Sequence, residues 1–304
     1  MMLKCLPTIG FYVGKKLPKR FTNRCVRDLA WVIASPPLVS GEFKQTHWWN
    51  YQQCLTEFDD CLPTLLSLDK KPAPLLTHLE SIKSRRLGLR FEAYISFWLS
   101  TVSPNYTLLA QNIQLHDFIN NLKHTIGEID FIIKENKTGK IIHLEVAVKF
   151  YLGTEPYSDP YRWFGTNLND QLGKKLDHLK QHQTQLLINH PEKTNYSIDE
   201  RHCIIKGRLF YPKEQEDAPD GITDNHLRGC YLFQNNNLAQ SSLILLDKIE
   251  WLAEFSSEDI GKRKIQANFS VSEKSRCYAV IENNTETQRI FYLSPNFKFP
   301  PCSF

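Results

Sequence analysis

The run Thr125–Phe150, TIGEIDFIIKENKTGKIIHLEVAVKF, decides how the rest of the chain is read. In its first half Ile129, Phe131 and Ile133 alternate with Glu128, Asp130 and Ile132. In its second half Ile142, Leu144, Val146, Val148 and Phe150 alternate with Ile141, His143, Glu145, Ala147 and Lys149. A period of two marks β-strands, whose successive side chains point to opposite faces. Between the runs, Glu135–Gly139 (ENKTG) has the polar, glycine-ended composition of a hairpin loop, so the strands are expected to pair antiparallel. One face of the pair is apolar and must be covered. The other carries Glu128, Asp130, His143, Glu145 and Lys149, which puts carboxylates and a lysine on one side.

Such a face suits metal-assisted hydrolysis. Mg²⁺ takes carboxylate and carbonyl oxygens and keeps several waters, so two acids on neighbouring strands plus a strand carbonyl are a sufficient protein share. A nearby lysine would orient the water or stabilise charge on a phosphate, while the metal acidifies its bound water. The competing reading is a plain hairpin with one solvated polar face, as antiparallel sheets commonly have.

An acid in GLRFEAYISFWL (Glu92), an Asp in GEIDFII (Asp130), a Glu in HLEVAVK (Glu145) and a following helix with Gln171 occur in the order of the PD-(D/E)XK nuclease superfamily, which the chain resembles. Together RDLAWVIASPP, GLRFEAYISFWL, GEIDFII, HLEVAVKFYLG and KGRLFYP resemble the bacterial domain of unknown function 1853 family, grouped with that superfamily by motif order. The resemblance implies an α/β fold: a mixed β-sheet flanked by helices, with a restriction-endonuclease-like core. It further implies Mg²⁺ or Mn²⁺ held by Asp130 and Glu145 with Glu92 assisting, and cleavage of nucleic acid, DNA before RNA. The pattern departs at the lysine. Its usual place, two residues after the glutamate, is Ala147, and Lys149 starts roughly 13 Å from Glu145 along a strand rising about 3.3 Å per residue. Either Lys149 reaches back, Lys174 or Lys175 replaces it, or the fold no longer cuts and serves as a module for nucleic acid or a protein partner. Likewise Gln171 is followed four residues later by Lys175, where nucleases of the RecB type often carry a tyrosine.

The chain has 304 residues, 41% of them hydrophobic, enough for a large core. No apolar run approaches the roughly 18 to 20 residues of a membrane helix, and MMLKCLPTIGFYVGKKLPKR reads as a basic extension and not a signal peptide. The eight cysteines are scattered and form no CxxC pair, which fits reduced thiols in a cytoplasm better than a disulfide framework or zinc. A formal charge of +4 is too mild to steer nucleic acid by itself, so binding must come from local patches. Arg85 and Arg86 before Glu92, and Lys174 and Lys175 after the hairpin, are the candidates.

Three parts follow: an N-terminal extension and helical region over 1–74, a nuclease-like core over 75–212, and an α+β appendage over 213–304 that packs on the core or binds a partner. In the first part NRCVRDLAWVIASPPLV reads as a helix stopped by Pro36-Pro37, and Trp48, Trp49 and Tyr51 read as core in preference to base-stacking residues. The core is expected to hold a helix or helix pair over Leu75–Thr101 with Gly88 as its weak point, a strand over Tyr106–Leu115, a loop or helical turn over Asp117–His124, and the hairpin. A helix over Asn167 to about Ile188 with a leucine stripe, and a strand over His202–Tyr211, complete it. In the last part a strand over His226–Phe233, a helix over Ser242–Phe255 and a hairpin over Cys277–Ser294 are expected. Phosphate-loop, GxGxxG, HExxH and GxSxG motifs do not occur, which lowers the standing of nucleotide hydrolysis, Rossmann cofactors, zinc proteolysis and α/β-hydrolase chemistry.

Overall fold

The structure, a computed structural model, describes residues 21–84, 86–119, 122–213, 215–233, 242–267 and 273–301. The basic N-terminal extension and Arg85 lie outside these residues. The chain forms a mixed α/β fold in which helices flank one large mixed sheet.

The first helix, α1 (Arg24–Ala34), begins where the Asn23 side chain accepts from the amides of Cys25 and Val26. It ends before Pro36-Pro37, as its sequence requires. Two short strands, β1 (Gly41–Phe43) and β2 (Thr46–Trp48), lead to the long α2 (Tyr51–Lys70), started by a reciprocal capping box between Asn50 and Gln53. The mixture of aromatics and acids in this stretch hid α2 from a reading by periodicity. Trp48 and Trp49 are buried, as core residues should be. Next come α3 (Ala73–Glu80) and α4 (Leu87–Phe97), the latter closing in a π-helical turn over Trp98–Val102. Helix α3 ends at Glu80 and α4 begins at Leu87, with Gly88 in its first turn.

Strands β3 (Tyr106–Ile119) and β4 (Leu122–Glu135) pair antiparallel over most of their length. The expected loop at Asp117–His124 is therefore mostly strand, since cross-strand pairing supplies the hydrogen bonds that a polar segment would otherwise take from water. The hairpin continues into β5 (Ile141–Gly153), which β6 (Trp163–Gly165) flanks. Helix α5 (Leu172–Gln181), a 3₁₀ turn over Gln183–Gln185 and the single turn α6 (Leu186–Asn189) stand where one continuous helix was expected. Leu168 has φ +62° and cannot begin such a helix. At the far end His182 leaves helical geometry, with φ −122° and ψ −70°.

Strand β7 (Glu200–Tyr211) returns parallel to β5, and β8 (Leu227–Phe233) runs parallel to β7. The sheet extends through β11 (Thr285–Leu293), β10 (Arg276–Glu282) and β9 (Ser242–Leu245), in spatial order β3-β4-β5-β7-β8-β11-β10-β9. The expected helix at Ser242–Phe255 is thus corrected to a strand and a 3₁₀ turn (Lys248–Glu250): Leu243 and Ile244 alternate across a sheet edge, and the 251–255 loop is tied down by arginines. A short helix, α7 (Ser257–Gly261), follows that loop. The β10–β11 hairpin turns through Asn283 and Asn284, both at positive φ, as Asn tolerates.

Helices α1 to α4 cover one sheet face through Leu144, Val146, Phe150 and Leu152. Helix α5 covers the other through Ala147, Tyr151, Leu172, Leu176 and Leu179. Strand β5 is consequently buried on both faces. The solvated polar face considered for the hairpin is not there: His143 and Glu145 are fully enclosed.

Candidate active site

The site lies where a strand pair comes apart. Strands β4 and β5 run in register from Lys134↔Ile141 to Phe131↔Leu144 and then separate, while β5 stays paired to β7 as far as Leu152↔Phe210. One further step of register would set Asp130 opposite Glu145. Two side-chain bonds close the fork instead. Asp130 Oδ2 accepts from the Val146 amide at 2.9 Å, and the Asp130 amide donates a long bond, 3.4 Å, to Glu145 Oε1. A buried amide that loses its ladder partner must find another acceptor, and the Asp130 carboxylate supplies it.

Glu145 is held from both sides. Its Oε1 lies 2.7 Å from His143 Nε2, and its Oε2 accepts from Gln183 Nε2 at 2.9 Å. Gln183 Oε1 in turn accepts from Lys175 Nζ at 2.7 Å. A polar chain thus runs from Lys175 on α5 through Gln183 and Glu145 to His143, whose Nδ1 is buried with no partner among the described residues. A carboxylate offers about four lone-pair sites, so these bonds leave Glu145 acceptor capacity toward the fork.

The electrostatics are those of crowded acids. Burial, with the Glu145 charge beside it, pushes the Asp130 carboxyl up to about 8. Burial pushes Glu145 up to about 8, which the Asp130 amide and Lys175 only partly oppose. Glu92, on α4, is raised to about 7 by burial and then by Asp130 and Glu128. Lys175 is lowered by burial and by the neighbouring Lys149 ammonium, against the pull of Glu145 and Asp130. His143 is pushed down to about 4 by its burial. Acids crowded in a dry site hold their protons unless a positive charge faces them.

Among the described residues no three His, Cys, Asp or Glu side chains are placed to hold a metal ion together. Two carboxylates are nevertheless the usual protein share of a Mg²⁺ site, and Asp130 and Glu145 provide two. Glu92 belongs to the field of this pair. Glu128 is bonded to Gln114 on β3.

The other residues singled out from the sequence divide. Lys149 donates to Asp170 Oδ2 at 2.6 Å, and Tyr151 reaches the same oxygen at 3.2 Å. The loop after β6 brings Asp170 to Lys149 and makes it the partner of that lysine. Lys175 turns toward the acids, whereas Lys174, one residue earlier and about 100° round the helix, is exposed. Gln171 stands at the N-cap position of α5, makes no side-chain cap bond, and donates to the Tyr161 carbonyl. Arg86 is exposed at the start of α4. Gln183 and the contact of His143 with Glu145 are additions that the structure makes to the residues singled out above. His143 was legible as the residue two before Glu145 on the same face. Gln183 was not, because it reaches Glu145 only through the break at His182.

The strand carrying Lys149 is fixed by Gly207 on β7, its register partner. Gly207 has φ +150°, and a Cβ there would lie 1.7 Å from the Lys149 carbonyl oxygen. Only glycine allows that approach.

A family model described as a domain of unknown function, DUF1853, matches residues 27–290, and the chain belongs to that family. No curated protein matches the chain, and no solved structure does.

Proposed function

We propose that this member of the DUF1853 family hydrolyses phosphodiester bonds of nucleic acid, DNA before RNA, with Mg²⁺ or Mn²⁺ at the fork between β4 and β5, in the manner of the PD-(D/E)XK superfamily. The observation that carries the reading is the pairing of Asp130 with Glu145 at that fork, with Lys175 one amide away. Asp130 and Glu145 would hold the ion, with Glu92 assisting from α4. When bound, the ion supplies an acidified water and charge neutralisation at the phosphate. His143 and Gln183 fix the direction of the Glu145 carboxylate. Lys175 supplies the cation that Ala147 does not, from a helix in place of the strand, and in a dry site its charge acts on a phosphate more strongly than it would in water. Lys149, paired to Asp170, is the outer cation of the same face.

The test is cleavage of plasmid, linear duplex and single-stranded DNA in Mg²⁺ or Mn²⁺ by the wild type, Asp130→Asn, Glu145→Gln and Lys175→Met. Activity lost in all three variants supports hydrolysis. Metal-independent binding without cleavage would replace this reading with a nuclease fold that binds and does not cut, and activity that survives Glu145→Gln would sink it outright.

A further inference from the structure

Beside the fork, and not part of it, lies a cleft of about 440 Å³ between the start of α4, the end of β5, the loop after β6 and the 3₁₀ turn at Lys248. Three cations converge on it from segments far apart in sequence: Arg86, Lys149 and Lys248. Its one carboxylate, Asp170, is already bonded to Lys149. Among the described residues neither Arg86 nor Lys248 has an ion-pair partner. The first turn of α4 also borders the cleft through Leu87 and Gly88, and Arg86 makes no side-chain cap there. Its amides therefore add to the positive end of the cleft.

The floor has the opposite character. Val148, Phe150 and Trp251 line it from the core, Phe150 and Trp251 being 8% and 6% exposed and edge to face at 5.2 Å between centroids, so that the floor is the rim of a packed apolar layer. Lys248 Nζ lies 5.8 Å from the Trp251 ring centre. The Trp251 indole N–H is buried and has no partner among the described residues. The 250–253 segment is held firmly, since Arg24 donates to the carbonyls of Glu250 and Ala253 and Arg289 to those of Leu252 and Ala253. The cleft is thus built on pinned elements.

We propose that this cleft takes one unpaired nucleotide of the strand to be cut, its phosphate among Arg86, Lys149 and Lys248 and its base against Phe150 and Trp251. The proposal rests on the nucleic-acid reading of the fork and narrows it to single-stranded or frayed substrates. Cations tracking a backbone beside aromatic rings are the usual means of holding single strands without regard to sequence. A volume near 440 Å³ falls within the range of small-ligand sites. It admits a single nucleotide, whereas a base inside a duplex is already paired and stacked and cannot enter. The placement also fits the fork. Glu92 follows Gly88 by one helical turn, about 6 Å of rise, and Lys149 lies on the same strand as Glu145, so a strand seated in the cleft runs on toward the carboxylates.

The experiment measures fluorescence anisotropy of a labelled single-stranded oligonucleotide and of its blunt duplex, in EDTA so that neither is cut. It compares wild type, the double variant Arg86→Gln/Lys248→Gln, and Lys137→Gln in the hairpin turn as a control. Both cleft positions are exposed, so the double variant is expected to melt with the wild type. The single strand should bind at least tenfold tighter than the duplex, and the double variant should lose about tenfold on the single strand. Its salt slope should fall by about 0.7, the share of the one phosphate neutralised in the cleft. A double variant that binds the single strand as wild type does overturns the cleft while leaving the reading of the fork in place. A wild type that binds neither oligonucleotide overturns the nucleic-acid reading and the cleft with it.

Discussion

Two clusters of charge are enclosed by this fold, and they are built on opposite principles. In the C-terminal part of the sheet Arg289 donates to Glu286 at 2.7 Å, both side chains at 1% exposure, and its remaining donors meet the carbonyls of Trp251, Leu252 and Ala253. Burial alone would lower the Arg289 guanidinium, yet Glu286 and Glu254 raise it above its usual value. Every charge there has a partner of opposite sign. At the fork, burial acts on Asp130, Glu145 and Glu92 together, each acid crowds the next, and one lysine answers them. The first cluster holds a loop in place. The second has no such balance: its acids hold their protons to unusually high pH, and ionising them costs the fold stability.

Breaking the balanced cluster should cost most. Arg289→Met leaves Glu286 buried and unpaired, for which the expected loss is about 3 to 5 kcal/mol, read as a lower midpoint in urea denaturation. Next comes Gly207→Ala, which forces Lys149 and its strand away from β7. A loss of about 2 to 3 kcal/mol is expected for a side chain in that backbone region, and Lys149 should lose its contact with Asp170.

The crowded cluster should behave in reverse. Glu145→Gln and Asp130→Asn should abolish the proposed cleavage and at the same time raise the melting temperature at alkaline pH. The sign follows from linkage. In the folded chain these carboxyls sit near 8, far above the 3.8 and 4.5 of free Asp and Glu. Between those limits the folded state binds protons that the unfolded state has released, so stability falls as pH rises through the window, and the loss is complete above about 8. The neutral variants lack this decline. Melting curves should therefore coincide near pH 4 and separate by several degrees by pH 9, on the order of 5 °C at roughly 2 to 4 °C per kcal/mol for a chain of this size. Coincident curves at pH 9 would mean that the acids are not crowded.

The two lysines near the fork give the smallest contrast in stability and a useful one in activity. Lys149 and Asp170 are each about a third exposed, 27% and 34%. Lys149→Met should cost under about 1 kcal/mol and reduce cleavage only in part. Lys175→Met should reduce it by on the order of 10²-fold, as for removal of one charge-stabilising donor. Equal activities would show that Lys149 acts on the scissile phosphate as Lys175 does.

How far the sequence carried this reading depends on the range of the interactions. The β4–β5 hairpin, α1, β7 and the β10–β11 hairpin were legible because their periodicity and turn residues act locally. Strand β9 was read as a helix because SSLILL carries no period that separates the two, and only pairing with β10 decides it. Asp130 and Glu145 were legible as acids where a strand pair tolerates few. Their burial was not, since it depends on α5 crossing a face that antiparallel hairpins usually leave wet. Lys175 stood beside Lys174 with nothing local to choose between them. Gln183 was hidden entirely, its role being created by the break at His182.

On the proposed function, Asp130 and Glu145 are protonated in the empty fork and ionise to take a cation. Calorimetric titration of Mn²⁺ at pH 7, in two buffers of different ionisation enthalpy, measures this directly. The expected result is a single saturable ion per wild-type chain, bound with release of about two protons as Asp130 and Glu145 ionise, and no binding in Glu145→Gln. Absence of saturable binding to the wild type, or binding to wild type and Glu145→Gln alike without proton release, would contradict it.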